Sequence, residues 1–427
     1  MSSWALAAAA GIVISYAALS RRLEGTPVSA PIFFLSAGLL VGSEGFGWIG
    51  LSATGEQVRV LAELTLTLVL FADASRIDLS ALRREYTVPA RLLGIGLPLT
   101  ILAGWALGVA MFGSLNWAEL LILAVILAPT DAALGQAVVT EPRLPSRIRQ
   151  GLNVESGLND GICVPLLFIG LALAEAETGS ASNHAALALV VEAIGYGVLF
   201  GVIAGVIGAL VVKLARQHGL MDSAWGQILP AATAALAYGL ATPLGGSGFI
   251  AAFAAGFAFG ALQRDTVGKE TYLLDQLGEL TNGVTFIVFG AVIVGPVLSD
   301  LTWRVALYGV LSLTVVRMLP VAVSLLGTHA RRPTLAFVGW FGPRGLASIV
   351  FMIIVLEDGG LPHVSTIKVA VVFTVVLSVY AHGLSAQPLT DRYARWYRAH
   401  PKDRLPSMES VHAPHQRWRR PGTPAAE

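Results

Sequence analysis

The chain has 427 residues, of which 55% are hydrophobic and 13% charged, and its mean hydropathy is +0.70. Soluble domains carry roughly 25% charged residues, and one soluble core does not account for repeated apolar runs of about 20 residues. A net charge of +1 offers no electrostatic case for a nucleic-acid partner, and the single cysteine, Cys163, excludes an intrachain disulfide and a cysteine metal cluster.

A bilayer core about 30 Å thick needs roughly 20 apolar residues as helix. In chain order the candidate spans are 3–20, 28–48, 57–74, 90–113, 117–139, 151–174, 185–212, 227–243, 246–263, 277–298, 303–327, 333–356 and 363–384. The first has no basic leader and is followed by Arg21 and Arg22, so it reads as a helix and not as a signal peptide. The eighth and ninth are short and split by a Gly-rich turn at 243–248; as one re-entrant element they would lower the count to twelve.

Charge favours thirteen spans. Lys and Arg fall on alternate connections: Arg21 and Arg22; Arg76, Arg83 and Arg84; Arg143, Arg147 and Arg149; Lys213 and Arg216; Arg264 and Lys269; Arg331 and Arg332. The intervening connections have none, although Arg59 and Arg304 lie just inside spans near that side. The positive-inside rule then places the amino terminus outside and the carboxyl terminus in the cytoplasm. The expected fold class is therefore an all-α polytopic membrane protein, with a membrane domain over 1–385 and a basic cytoplasmic tail over 386–427. An amphipathic stretch on the membrane surface at about 390–400 is the alternative to a disordered tail.

A charge in hydrocarbon costs several kcal/mol unless it faces protein or water. Most spans carry no charge near their centres, and the candidates that stand out are Glu63, Asp73, Asp131, Glu155, Asp160, Glu192, Glu279, Arg317, Arg344 and Lys368. Asp160 comes first among them. It lies nine residues into the sixth span, about 14 Å deep, and its neighbours offer no countercharge. Burial favours the protonated form of a carboxylate, so such a group can exchange a proton for a competing cation. Glu155, Ser156 and Asn159 share its helix face, and Ser156 and Asn159 supply neutral oxygens.

Two spans carry breaks. In the fifth, Pro129 precedes Thr130 and Asp131, so Asp131 caps the second half of the helix, lines a site, or does both. In the twelfth, Gly342-Pro343-Arg344-Gly345 interrupts an apolar run. Arg344 needs a partner if buried, with Glu155 the first candidate ahead of Glu63 and Asp73. The broken spans are seven apart and so cross in opposite directions, as two inverted six-helix repeats joined by the seventh helix require. Glu192, Glu279 with Asn282, and Lys368 read as structural. The eight histidines, His382 among them, lie in connections, near span ends or in the tail, which argues against a transition-metal site or a histidine relay.

The runs APTDAALGQAVV (128–139), ESGLNDG (155–161) and GWFGPRGLASIV (339–350) together resemble the cation:proton antiporter-1 family, the NhaP-type Na+/H+ exchangers. The resemblance implies thirteen helices, two inverted repeats, crossing broken helices and a homodimer. It implies that Asp160 binds the cation and the proton, with Asp131, Thr130, Ser156 and Asn159 around the transported ion. The metal-ligand set expected for that cargo is Asp160, Asp131, Ser156 and Thr130. It also implies a structural ion pair of Glu155 with Arg344 that steadies Asn159. An Asn before the essential Asp resembles electroneutral members. One departure is that Ala72, not an acid, follows Phe71, and the acid is Asp73. The expected function is exchange of a monovalent cation, Na+ or else Li+ or K+, for H+ at the cell inner membrane, with no cofactor and no enzymatic step. A cation channel and an intramembrane aspartyl enzyme are the alternatives.

Overall fold

The computed structural model describes residues 3–49, 55–77, 86–131, 133–177, 183–263, 270–358, 360–400 and 407–410. Among these residues every regular element is helical. The first six are α1 (Ser3–Leu23), α2 (Ala30–Val41), α3 (Glu56–Ser75), α4 (Thr87–Met111), α5 (Trp117–Ile126) and α6 (Gln136–Val139). Then come α7 (Ser146–Glu177), α8 (Asn183–Gln217), α9 (Ser223–Ala241), α10 (Gly248–Leu262) and α11 (Tyr272–Leu298). The last are α12 (Trp303–Ser324), α13 (Arg332–Trp340), α14 (Leu346–Asp358) and α15 (Val364–Ala399), with one further helical turn over Ser407–Ser410. Seven of these helices are long and apolar enough to cross a membrane: α1, α4, α7, α8, α11, α12 and α15. The chain is thus an all-α polytopic membrane protein. α8 shows how its outside is made: Leu189, Val191, Leu199, Ile203 and Val211 all point outward, an apolar surface suited to hydrocarbon and not to water.

Helices pack closely in a membrane where small residues let backbones meet. Three Gly-x-x-x-Gly pairs do this here. A Cβ added at Gly201 or Gly205 of α8 would run into the backbone of Ala251 or Ala255 on α10. Gly38 and Gly42 at the end of α2 meet the backbones of Ile287 and Ala291 on α11, and Gly256 and Gly260 of α10 meet those of Phe71 and Ser75 on α3. α10 is thereby pressed between α3 and α8, which sets the carboxyl-terminal end of α3 beside α7, where Asp73 meets Gly157.

The eighth and ninth candidate spans are two separate helices, α9 and α10, and not one re-entrant element; a 3-10 turn over Thr242–Leu244 and Gly245, whose φ of +81° suits glycine, lie between them. Other helices differ in detail from the candidate spans. The span at 303–327 is not one smooth helix, because Thr314 leaves helical geometry (φ −107°, ψ −88°). α15 runs on past residue 385 to Ala399, and its Tyr393 stacks on Phe337 of α13. Most of the tail, at 401–406 and 411–427, lies outside the described residues, as do Arg83, Arg84, Arg264 and Lys269.

Candidate functional site

Both helix breaks have a cause in the sequence. α5 stops at Ile126 because Pro129 has no N–H with which to continue the ladder. α13 stops at Trp340, and Phe-Gly-Pro-Arg-Gly at 341–345 follows without helical structure. A break leaves carbonyls unpaired at one helix end and N–H groups at the other. Here each break satisfies the other. Arg344 Nη1 donates to Ala128 O (2.7 Å) and Pro129 O (3.0 Å), the carbonyls set free after α5. The Asp131 N–H donates to Pro343 O (2.8 Å). The Asp131 carboxylate accepts from the N–H groups of Ala133 (2.7 Å) and Leu134 (3.4 Å) through Oδ1, and from the N–H of Leu346 (3.0 Å) through Oδ2. Ser348 Oγ donates to Ile126 O (2.7 Å) at the end of α5. The signs match the helix ends: the cation sits at the carbonyl end of α5 and the anion at the N–H end of α14.

α7 runs past this crossing. Asp160 lies fourteen residues after its first residue, Ser146, and Glu155, Ser156, Asn159 and Asp160 are all buried. Asn159 Nδ2 donates to Thr130 Oγ1 (2.7 Å), and Thr130 Oγ1 pairs with Ser156 Oγ at 2.9 Å. Thr130, Ser156 and Asn159 thus form one network between the α5 break and α7. Asp160 Oδ1 and Asn159 Oδ1 are buried with no hydrogen-bond donor among the described residues. Asp73, the acid that departs from the family pattern, packs against Gly157, with its Cβ 3.5 Å from where a Gly157 Cβ would lie. Arg76 bridges Asp73 (3.4 Å) and Asp275 of α11.

The expected pairing of Glu155 with Arg344 is corrected. Glu155 is held by Arg317, through Nη1 to Oε1 at 2.5 Å and Nη2 to Oε2 at 2.8 Å, with both side chains 3% exposed. The physical reason is that Arg344 is taken up by the carbonyls of the α5 break. The half of α12 beyond Thr314 instead swings Arg317 to α7, where its guanidinium lies against Gly342, leaving no room for a Cβ there. Glu63 and Asp73, the other partners considered for Arg344, pair with Arg59 (2.8 Å) and Arg76. Glu192 and Glu279 are exposed on α8 and α11, and Asn282 and Lys368 are half-buried. His382 is not a span-end residue but is buried within α15. Arg317 was legible as a lone charge in an apolar span; Ser348, Ser378 and His382 gave no such signal.

Among the described residues no group of three or more His, Cys, Asp or Glu side chains is placed to hold a metal ion. The oxygens gathered at this crossing are the carboxylates of Asp160 and Asp131, the Asn159 amide and the hydroxyls of Thr130 and Ser156, hard donors of the kind that suit an alkali cation and not a transition metal.

A polytopic helical membrane protein with two crossed helix breaks beside a buried carboxylate is built as a carrier. The chain belongs to the sodium/hydrogen exchanger family of monovalent cation/proton antiporters of the NhaP type, whose transmembrane profile matches residues 9–392. It is 28% identical over 413 residues to the K(+)/H(+) antiporter NhaP of Alkalimonas amylolytica, covering 93% of this chain and 68% of that protein. It is 29% identical over 268 residues to a Na(+)/H(+) antiporter of Schizosaccharomyces pombe, covering 58% of this chain and 56% of the relative. Its fold is that of the sodium proton antiporter MjNhaP1 from Methanocaldococcus jannaschii at pH 8, with a TM-score of 0.70 at 19% identity, over 89% of this chain and 98% of that one.

Proposed function

We propose that this protein exchanges one monovalent cation for one proton across a membrane by alternating access around Asp160, with Na+ the first substrate to test and K+ and Li+ the others. The observation that carries the reading is a buried carboxylate, Asp160, with an oxygen that no donor among the described residues satisfies, set beside the Thr130–Ser156–Asn159 network at the crossing of two broken helices. Buried charge is costly without a partner. A proton or a cation on Asp160 neutralises it and allows the carrier to change sides; bare Asp160 resists the change. Thr130, Ser156, Asn159 and Asp131 complete the site. Asp131, whose carboxylate accepts three backbone N–H groups, acts mainly by holding the breaks together.

The same reading includes thirteen membrane spans in two inverted repeats, a membrane domain over 1–385, a cytoplasmic tail over 386–427 and an external amino terminus. It also includes a homodimer in the cell inner membrane and no cofactor. Relatives named for K(+) and for Na(+) both support cation exchange and leave the choice of cation to measurement.

The test is proton movement in sealed liposomes holding the purified protein and an imposed pH gradient. Na+, Li+, K+ and choline are added in turn. An alkali cation that dissipates the gradient in wild type, while choline does not and Asp160→Asn abolishes the effect, supports exchange. Folded and inserted protein that moves no protons with any cation overturns it.

A further inference from the structure

The α13–α14 break holds Arg344, and Arg344 holds the α5 break, but nothing described so far fixes the distance between Trp340 at one end of the gap and Arg344 at the other. α15 crosses both. Ser378 and His382 lie one turn apart on it, each no more than 1% exposed. Ser378 Oγ accepts the Arg344 N–H at 2.6 Å. The same Oγ lies 3.1 Å from His382 Nδ1, which is also 3.0 Å from the Ser378 carbonyl oxygen, and His382 Nε2 lies 3.0 Å from Trp340 O.

Trp340 O is the carbonyl at the end of α13. Inside the break it receives only the Gly342 N–H, at 2.8 Å, so its second lone pair calls for an outside donor, and His382 Nε2 is the group placed against it. His382 Nδ1 faces both the hydroxyl and the backbone carbonyl of Ser378, so the imidazole is tied to Ser378 whichever ring nitrogen carries the hydrogen. The result is one chain of contacts: Arg344 N–H to Ser378 Oγ, Ser378 to the His382 imidazole, the imidazole to Trp340 O. It begins at the far end of the gap and finishes at the near end. The indole of Trp340 packs on the imidazole, with ring centroids 4.8 Å apart, and its Nε1 donates to Ser385 Oγ (2.9 Å) further along α15.

We propose that Ser378 and His382 are positioning residues that clip the two ends of the α13–α14 break to α15 and thereby hold Arg344 on the carbonyls of Ala128 and Pro129. Neither touches the transported ion. The clip sets the geometry of Thr130 and Asp131 from behind, through Arg344. Its consequence for transport rests on the exchange reading above; its effect on the backbone does not.

The test uses full-length protein in liposomes with His382→Leu, His382→Gln, Ser378→Ala and the Ser378→Ala/His382→Leu double variant. Amide hydrogen exchange over 340–346 and the half-saturating Na+ concentration are both read. Gln can donate to Trp340 O and accept from Ser378, so it should keep both readouts at wild-type values. His382→Leu and Ser378→Ala should each speed exchange in that segment and raise the half-saturating concentration by about fivefold, the worth of one buried hydrogen bond. The double variant should match the worse single, because the three bonds are one chain. Wild-type exchange in the Leu variant, a Gln variant as loose as Leu, or additive losses in the double would overturn the clip. If Leu does not fold, Ser378→Ala against wild type decides alone. If wild type shows no cation-driven proton flux, the exchange reading fails while the amide comparison still judges the clip.

Discussion

Thr130 serves two partners with one hydroxyl: it accepts from Asn159 Nδ2 and pairs with Ser156 Oγ. Thr130→Val keeps the shape and removes both bonds, leaving buried polar atoms unpaired, at a cost of about 1–2 kcal/mol. Read as cation affinity, that is a roughly fivefold to thirtyfold rise in half-saturating concentration, whereas Thr130→Ser should stay near wild type; a flux titration separates the two. Glu155 and Arg317 call for a different measurement. Removing either partner of this buried pair strands the other and should cost about 3–5 kcal/mol of stability. A double-mutant cycle on thermal unfolding of Glu155→Gln with Arg317→Gln should show strong coupling, and the same cycle with Arg344→Gln a much weaker one. Equal coupling would restore the pairing expected from sequence. That expectation identified Asp160, Glu155 and Arg344 because a charge in an apolar span is rare enough to notice. It missed the partner because the choice between Arg317 and Arg344 depends on the kink at Thr314, which only packing produces.

Helix packing makes its own predictions. Gly260 meets the backbone of Ser75, so Gly260→Ala must push α10 away from α3, at about 1–3 kcal/mol. Gly239 on α9 has open space around it, and Gly239→Ala should be neutral or slightly stabilising. Thermal unfolding in detergent compares them, and equal effects would sink the backbone-contact argument. The amino-terminal end of α13 depends on a residue far along the chain. Glu409, 1% exposed, accepts from the Arg331 N–H (2.9 Å) and Thr334 Oγ1 (2.7 Å). Glu409→Ala should loosen that end by about 1 kcal/mol, as loss of a helix cap does, visible as faster amide exchange over 331–335. The two breaks themselves were legible, since Pro129 and the Gly-Pro-Arg-Gly run leave a helix no other course. The Gly-x-x-x-Gly contacts and the Glu409 cap were not, because each depends on which helix comes to lie alongside.

At the scale of the whole molecule, the proposed exchange depends on how many charges cross together. Among the described residues the site has one carboxylate, Asp160, that keeps an unsatisfied oxygen, and its neighbour Asn159 is neutral; the Asp131 carboxylate is committed to three N–H donors. One cation and one proton then compete for one group. Competition of that kind fixes a slope: on the acid side, the half-saturating cation concentration should rise about tenfold for each unit fall in pH, since each ligand weakens the other by the same factor. The turnover should also fall at the alkaline limit, where protons become scarce, giving a bell-shaped dependence. A carrier that returns with a neutralised Asp160 in either case moves no net charge. A diffusion potential imposed with a permeant lipophilic ion should therefore leave the cation-driven proton flux unchanged. A slope near two, together with acceleration by an inward-negative potential, would require a second titrating carboxylate per cycle. Asp73, packed against Gly157 three residues before Asp160, would then be the residue to neutralise next, and the one-for-one scheme would be abandoned.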